Sequence, residues 1–555
     1  MKHKILLFFV VLTTFKTFSQ NTFTFNGDGI WTDTTQWEGG VYPGTTINTG
    51  DNIVVLGKLT ISENITITNN GTIESFSSAS GDTPTINIIG SLVNNQIINF
   101  SRTGITVDAL GSITTNVTSQ LVVTNNSILT NTGTVNILGG VIRIASSVST
   151  IFNDGTFNNM GTVEVLSGNF ENKSDANNTD LVVFNNNGTF EVSNAIVTNR
   201  GDFKNNTNGI LMISRTFRND LTGRIDNEGE ITVTGFSSSL INVGNLNNLK
   251  DILVLDFSSI SMLSNSVFTN QIGGNVIISA DSSMSSRTSN FTILGGKITN
   301  NGTFDNEITM SIELGGEFEN NGTFDNGFGA QVVNNGILGG INVEQSGNFS
   351  NDGILSPGNS TDATGMYKLN GFFTSYTQTT SGSLKIELGG TVAGDNYDQI
   401  IVDRDAILEG TLNVSLVDGF DPAIGDVFTV LLQGRNVSGT FSTLNLPTLA
   451  TNKEWDDVEY SSTDGVRISV KQSTLSISDL DKDSPKFKIY PNPVSNKIFI
   501  SGISNTGTAS IFDLNGKKVL DTELSTGNFG IDLKELNSGI YLLKFEGRSF
   551  KFVKQ

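Results

Sequence analysis

Leu294-Gly295-Gly296-Lys297-Ile298-Thr299-Asn300-Asn301-Gly302-Thr303-Phe304-Asp305-Asn306 returns as Leu314-Gly315-Gly316-Glu317-Phe318-Glu319-Asn320-Asn321-Gly322-Thr323-Phe324-Asp325-Asn326, an offset of 20 residues. Degenerate copies of its Asn-x-Gly-x-apolar centre recur at Asn69 to Ile73, Asn131 to Val135, Asn153 to Phe157, Asn159 to Val163 and Asn186 to Phe190. Further copies lie at Asn199 to Phe203, Asn227 to Ile231, Asn334 to Leu338 and Asn351 to Leu355. A finer six-residue step runs through them, as in Gly155/Gly161, Gly223/Gly229, Gly316/Gly322 and Gly347/Gly353. A unit of this length holds two or three short strands with their turns, which is one coil of a parallel β-helix.

Each position then has an expected role. Glycine supplies a positive φ at the corner, asparagine tolerates the left-handed region, and the apolar residue two places on points inward. Phe304 and Phe324 should stack one above the other, as should the asparagines. With coils about 4.8 Å apart, residues 50–355 would make about fifteen coils and a rod on the order of 70 Å. Proline is missing between Pro84 and Pro357, as expected of strands paired on both edges. Sustained 3.6-residue periodicity is missing too, and short alternating runs of Val, Ile, Phe and Thr replace it. The expected fold is all-β, a long parallel β-helix over 56–355 followed by a small C-terminal antiparallel β-sandwich; a string of β-sandwiches is the competing reading.

The flanks read differently. Asn26-Gly27-Asp28-Gly29-Ile30-Trp31, then Trp37-Glu38-Gly39-Gly40-Val41-Tyr42-Pro43-Gly44 and Gly50-Asp51-Asn52-Ile53, resembles the start of many bacterial β-helical surface proteins. Residues 20–55 are therefore expected to cap the open end of the solenoid, where unpaired edge groups are a liability; glycan stacking on Trp31 or Trp37 is the alternative. Residues 356–472 carry Leu384-Lys385-Ile386-Glu387-Leu388-Gly389-Gly390, Asn396-Tyr397-Asp398-Gln399-Ile400 and Leu408-Glu409-Gly410-Thr411-Leu412. This order resembles the C-terminal part of autotransporter-like passenger stems, which implies continued β-helix and a terminal cap rather than an activity. Asp395, Asp398, Asp403 and Asp405 offer oxygen ligands for Ca²⁺, but they lack the spacing of a calcium loop, and solvated acidic turns are the favoured reading.

Lys2 and Lys4, the apolar run Ile5 to Leu12 and the small residues of Thr17-Phe18-Ser19 read as a secretory signal peptide over 1–19, cut before Gln20. The chain has no cysteine, and its one histidine, His3, leaves with that leader. Disulfides, thiolate metal sites, Ser-His-Asp and Cys-His catalysis and His/Cys zinc sites are thereby excluded. No other stretch is apolar for long enough to span a bilayer as a helix. The mature chain keeps 30 basic against 54 acidic residues, a net charge of −24. Such a surface repels nucleic acid.

Residues 473–486 are polar and read as a linker. Beyond them the composition turns basic, with ten Lys/Arg against six Asp/Glu over 486–555. The motifs are Tyr490-Pro491-Asn492-Pro493, Asp513-Leu514-Asn515-Gly516-Lys517 and Leu536-Asn537-Ser538-Gly539-Ile540-Tyr541-Leu542-Leu543-Lys544, with a short basic end at Gln555. Residues 487–555 closely resemble the type IX secretion C-terminal sorting domain of Bacteroidetes. The resemblance implies a small antiparallel β-sandwich that engages the type IX machinery, passage across the outer membrane, and a secreted or cell-surface address.

For the rod itself, three classes compete. The first is a structural or adhesive surface protein whose partners are surface glycans or other cells. The second is a polysaccharide lyase or hydrolase working through Asp/Glu pairs with Lys or Arg. The third is a stalk that only displays something else. Evenly spread Asn-Gly corners favour the first, and only 232–292 is irregular enough to build a cleft. The sequence nominates no catalytic, cofactor-binding or metal residue. Arg200-Gly201-Asp202 spells an integrin-type tripeptide, but Gly201 fills the repeat's own glycine position. The alternating Thr66-Ile67-Thr68 does not recur coil after coil, which removes an ice-binding face.

Overall fold

The computed structural model describes residues 20–77, 83–173, 182–279, 290–327, 330–341, 343–345, 348–358, 364–370, 374–473, 488–502, 506–525 and 530–555. The expected leader and linker residues 474–486 lie outside the described residues. The chain divides into two compact units, residues 1–472 and 473–555.

The first unit is a three-sided parallel β-helix. Strands on each face pair in parallel with the strands one coil before and one coil after. The first face runs from Thr22–Phe25 to Thr323–Asn326 and again from Val343–Gln345 to Val427–Gln433. The second runs from Asp28–Ile30 to Asn436–Gly439, and the third from Thr46–Ile47 to Thr443–Asn445. Among the described residues the third face stacks eighteen strands, about 80 Å at the usual spacing between paired strands. Fourteen of them begin between residues 50 and 355, close to the number the repeat implied.

One coil shows how sequence becomes structure. Lys297–Asn300, Thr303–Asn306 and Thr309–Ile312 are four-residue strands separated by two-residue turns, which is the origin of the six-residue step. Alternation buries the second and fourth residue of each: Ile298 and Asn300, Phe304 and Asn306, Met310 and Ile312. The 20-residue coil is one case among several. Asn334 lies one coil from Asn351 at a separation of 17, and Asn413 one coil from Asn445 at 32. Turns absorb the difference while the strands keep register.

Parallel register puts like over like. Phe157, Phe184 and Phe203 form a near-parallel stack with centroids 5.0 and 4.9 Å apart. Each buried ring contributes roughly 1.5–3 kcal/mol through area alone, and ring pairs add about 0.5–1.5 kcal/mol. The buried asparagines do the same with hydrogen bonds. From Asn131 through Asn153, Asn172, Asn199 and Asn219 to Asn242, each Nδ2 donates to the Oδ1 of the next coil at 2.7–2.8 Å. A second ladder joins Asn159, Asn186, Asn205, Asn227, Asn248, Asn270 and Asn300 in the same way. The other amide hydrogen reaches a backbone carbonyl, as from Asn199 to Arg224 O at 3.1 Å. A buried amide that bonds along the stack removes the desolvation penalty that would otherwise make it costly.

The glycines require a correction. Gly302 and Gly322 do not adopt positive φ, and neither do the Asn301 and Asn321 that precede them. A Cβ on Gly302 would lie 2.2 Å from Gly274 O, and one on Gly322 would lie 2.2 Å from Gly302 O. The corner needs glycine because the coil below passes too close for a side chain. Left-handed backbone occurs instead in the Leu-Gly-Gly turns, at Gly295 (φ +136°) and Gly315 (φ +87°).

Both ends of the stack are covered. At the start, Trp31 and Trp37 are buried edge to face at 5.1 Å, with Trp37 Nε1 donating to Trp31 O and Trp31 Nε1 to Gly44 O. At the finish, Val427–Gln433 pairs antiparallel with Gly465–Gln472, and Lys453–Trp455 and Glu459–Ser461 pair with that same strand. Antiparallel strands end the parallel ladder where a further coil could otherwise add.

The second unit has two antiparallel sheets. One orders Lys488–Tyr490, Lys497–Ser501 and Gly530–Asp532; the other orders Lys518–Leu524, Gly507–Phe512, Gly539–Phe545 and Arg548–Lys554. Its own core includes Ile498, Ile511, Leu543 and Phe552.

Candidate functional site

In the second unit, the sequence motifs are the joints of the fold. Asn492 of the Tyr-Pro-Asn-Pro stretch donates from Nδ2 to Lys551 O at 3.1 Å and accepts from Val553 N–H at 2.9 Å. Val494 N–H donates to Val553 O, and Gln555 N–H to Val494 O, both at 2.8 Å. The opening segment therefore clamps the last strand. Asp513 Oδ1 accepts from the N–H groups of Asn515 and Lys517 at 2.9 Å, and Gly516 sits at φ +78°. That hairpin does need a left-handed glycine. Tyr541 stacks on Phe552 at 5.7 Å and donates its hydroxyl hydrogen to Asn537 O. Lys488, Lys497, Lys517, Lys518, Lys534, Lys544 and Lys551 are exposed, so the basic surplus lies on the surface.

On the rod, a groove of about 250 Å³ opens on the third face, lined by Glu317, Phe318, Glu319, Ile337, Gly339, Ile354, Ser356 and Lys385. Register explains it. Glu319 pairs with Gly339, and Gly339 with Ser356; Leu355 pairs with Leu384, so Lys385 is next in that row. Two small residues between two long charged ones leave a notch. Beside it, the row Glu317, Ile337, Ile354 supplies two partly exposed isoleucines as a wall. Lys297 Nζ bonds Glu317 at 2.7 Å and Glu319 at 2.8 Å, while Lys385 is paired with the buried Glu387. Lys297 is pulled down by burial, but its bonds to the two glutamates outweigh this and raise it above the ordinary lysine value. The groove thus presents fixed acceptors at one end and a fixed donor at the other. Sequence reading missed it, because its row is assembled from residues far apart in the chain and no local pattern marks Gly339 or Ser356.

Other candidates fall elsewhere. Trp31 and Trp37 are buried in the cap and offer no face to a sugar. Asp398 is fully buried, accepting from Gly365 N–H at 2.8 Å and Glu387 N–H at 2.9 Å, whereas Asp395 and Asp403 are exposed and Asp405 half-buried. No group of three or more acidic side chains suited to hold a metal ion occurs among the described residues. Arg200 is paired with Glu171 and Asp220, and a Cβ on Gly201 would meet Val182 O at 2.7 Å, as an ordinary coil position would. The stretch 232–292, expected to be irregular enough for a cleft, instead forms regular four-residue strands in register over its described residues, and the groove lies outside it. Adjacent corners there carry Phe236 (77% exposed) and Phe257, with ring centroids 6.3 Å apart. Ser237, Asp256 and Phe257 there all have positive φ.

No curated protein matches the chain. Residues 488–555 match the secretion system C-terminal sorting domain family. The matched span is the unit whose sheets are closed by Asn492 and turned at Gly516. This chain is therefore an exported β-helical cargo of the type IX secretion system, addressed by its C-terminal domain to the cell surface or the medium.

Proposed function

We propose that the β-helix is a structural or adhesive element of the cell surface, a rod that presents its outer faces to surface glycans or to other cells. The observation that carries this reading is the continuity of the stack. Among the described residues the third-face ladder runs through eighteen coils, and the interior repeats the same asparagine and phenylalanine contacts along much of it. Coils that add nothing but length and surface suit reach and display. The net charge of the mature chain favours solubility and disfavours nucleic acid as a partner. A polysaccharide-active enzyme is the competing reading, and its natural location would be the groove at Glu317 and Glu319.

The test uses the full chain, purified and immobilised. Cell-adhesion and glycan-binding screens are run beside a reducing-sugar release assay on the same polysaccharides. Adhesion or glycan capture without product release supports the proposal. Release of sugar at a catalytic rate, abolished by Glu319→Gln, would replace it with the enzyme reading.

A further inference from the structure

We infer that the third-face groove between Glu319 and Lys385 is a binding site for a neutral glycan chain, an inference that rests on the adhesive reading above. Three features of the groove select that chemistry. Its volume of about 250 Å³ falls below the usual range for drug-sized ligands, and it suits one or two sugar rings rather than a folded partner. The floor at Gly339 and Ser356 is narrow and backbone-rich, and Ile337 and Ile354 form an apolar wall against which the C–H face of a pyranose can lie. At the two ends, about 14 Å apart over three coil steps, stand the carboxylates of Glu317 and Glu319 and the ammonium of Lys385.

The ionic pairing decides against a charged ligand. Lys297 already bridges Glu317 and Glu319, and Glu387 already neutralises Lys385. A strong anion or cation would have to break one of these partly buried pairs, which is costly. Hydroxyl groups need break neither: Asn321 Nδ2 also donates to Glu319 at 3.2 Å, but a carboxylate accepts at about four lone-pair sites and an ammonium has three hydrogens. A hydroxyl-rich chain running along the rod axis can therefore donate at Glu317 and Glu319 and accept at Lys385. The pairs also hold these side chains in place beforehand, which lowers the ordering cost of binding.

The experiment measures binding of the full chain to an immobilised β-glucan, α-mannan and xylan, each unsubstituted and uncharged. Ser356→Leu fills the notch from an outward-facing position, and Glu317→Gln removes one acceptor while leaving Lys297 paired with Glu319. Phe236→Ala, on a different corner, is the control. For at least one polysaccharide, Ser356→Leu is expected to weaken binding at least tenfold and Glu317→Gln several-fold, with unchanged thermal midpoints, and Phe236→Ala to bind as the unaltered chain does. Undiminished binding by Ser356→Leu, or loss confined to Phe236→Ala, would overturn the assignment. If the unaltered chain holds cells but none of the three polymers, the glycan site is wrong and adhesion stands. If it holds neither, both fail.

Discussion

Phe304 and Phe324 occupy the same register position in adjacent coils, both buried, with ring centroids 5.8 Å apart. Phe318 touches both from the third face, at 5.3 Å to each. Truncating the middle of such a cluster removes ring contacts and leaves a cavity between two coils. Phe304→Ala is expected to cost about 3–5 kcal/mol, and Phe304→Leu clearly less. Chemical denaturation of both variants checks this, and a loss below about 1 kcal/mol for alanine would mean the coils do not share one core.

Gly302 separates two explanations of the repeat. If its role were conformational, alanine there would cost about 1 kcal/mol, as at a left-handed site. A Cβ added at Gly302 would come within 2.2 Å of Gly274 O, which predicts more. Gly302→Ala should therefore destabilise the rod by about 2 kcal/mol or more, because backbone rather than a flexible side chain must move. Gly516→Ala, at a positive φ with open space around it, should cost the second unit only about 1 kcal/mol. Denaturation midpoints of the two variants, each read on its own unit, check the contrast.

Asn219 sits inside the ladder, accepting from Asn199 at 2.8 Å and donating to Asn242 at 2.7 Å. Asn219→Leu removes these bonds and leaves the Asn199 amide without its acceptor, at an expected cost of about 2–4 kcal/mol. Asn321, an exposed turn residue, should tolerate alanine within about 0.5 kcal/mol. Equal effects at the two positions would show that the ladder contributes nothing specific.

Asp398 predicts a pH dependence. Burial is the main cause that pushes its carboxyl up to about 8, and Glu387 adds to this, while the N–H groups of Gly365 and Glu387 and the Lys385 ammonium pull the other way. A carboxyl raised in the folded state holds its proton where the unfolded chain has lost it. Its contribution to stability is thus present below pH ~4 and is lost as pH rises towards ~8. Asp398→Asn should flatten the decline in denaturation midpoint across that interval. A variant whose profile keeps the full slope would remove Asp398 as its source.

The parallel coil was legible because it repeats: Leu294 to Asn306 and Leu314 to Asn326 place like residues one coil apart, and register does the rest. The role of Gly302 was not, because an Asn-Gly pair looks the same whether it needs a positive φ or merely lacks room for a side chain. Coil length was read from its most regular copy, yet turns lengthen freely while strands such as those of Asn413 and Asn445 stay paired. The groove at Gly339 and Ser356 was invisible for a related reason. It consists of missing side chains, and only the register between distant strands brings Glu319 and Lys385 into one row. The sorting domain was the reverse case, since Asn492 and Gly516 each serve one joint and stand within a local motif.

Export through the C-terminal domain is the claim on which the account rests. Residues 487–555 have their own core and sheets, so their removal should leave the rod folded. Cells expressing the full chain and a chain ending at residue 486 are fractionated, and the surface, medium and periplasm are probed for the rod. The account predicts the full chain at the surface or in the medium, and the truncated chain folded but held in the periplasm. Equal surface display of both forms would contradict it.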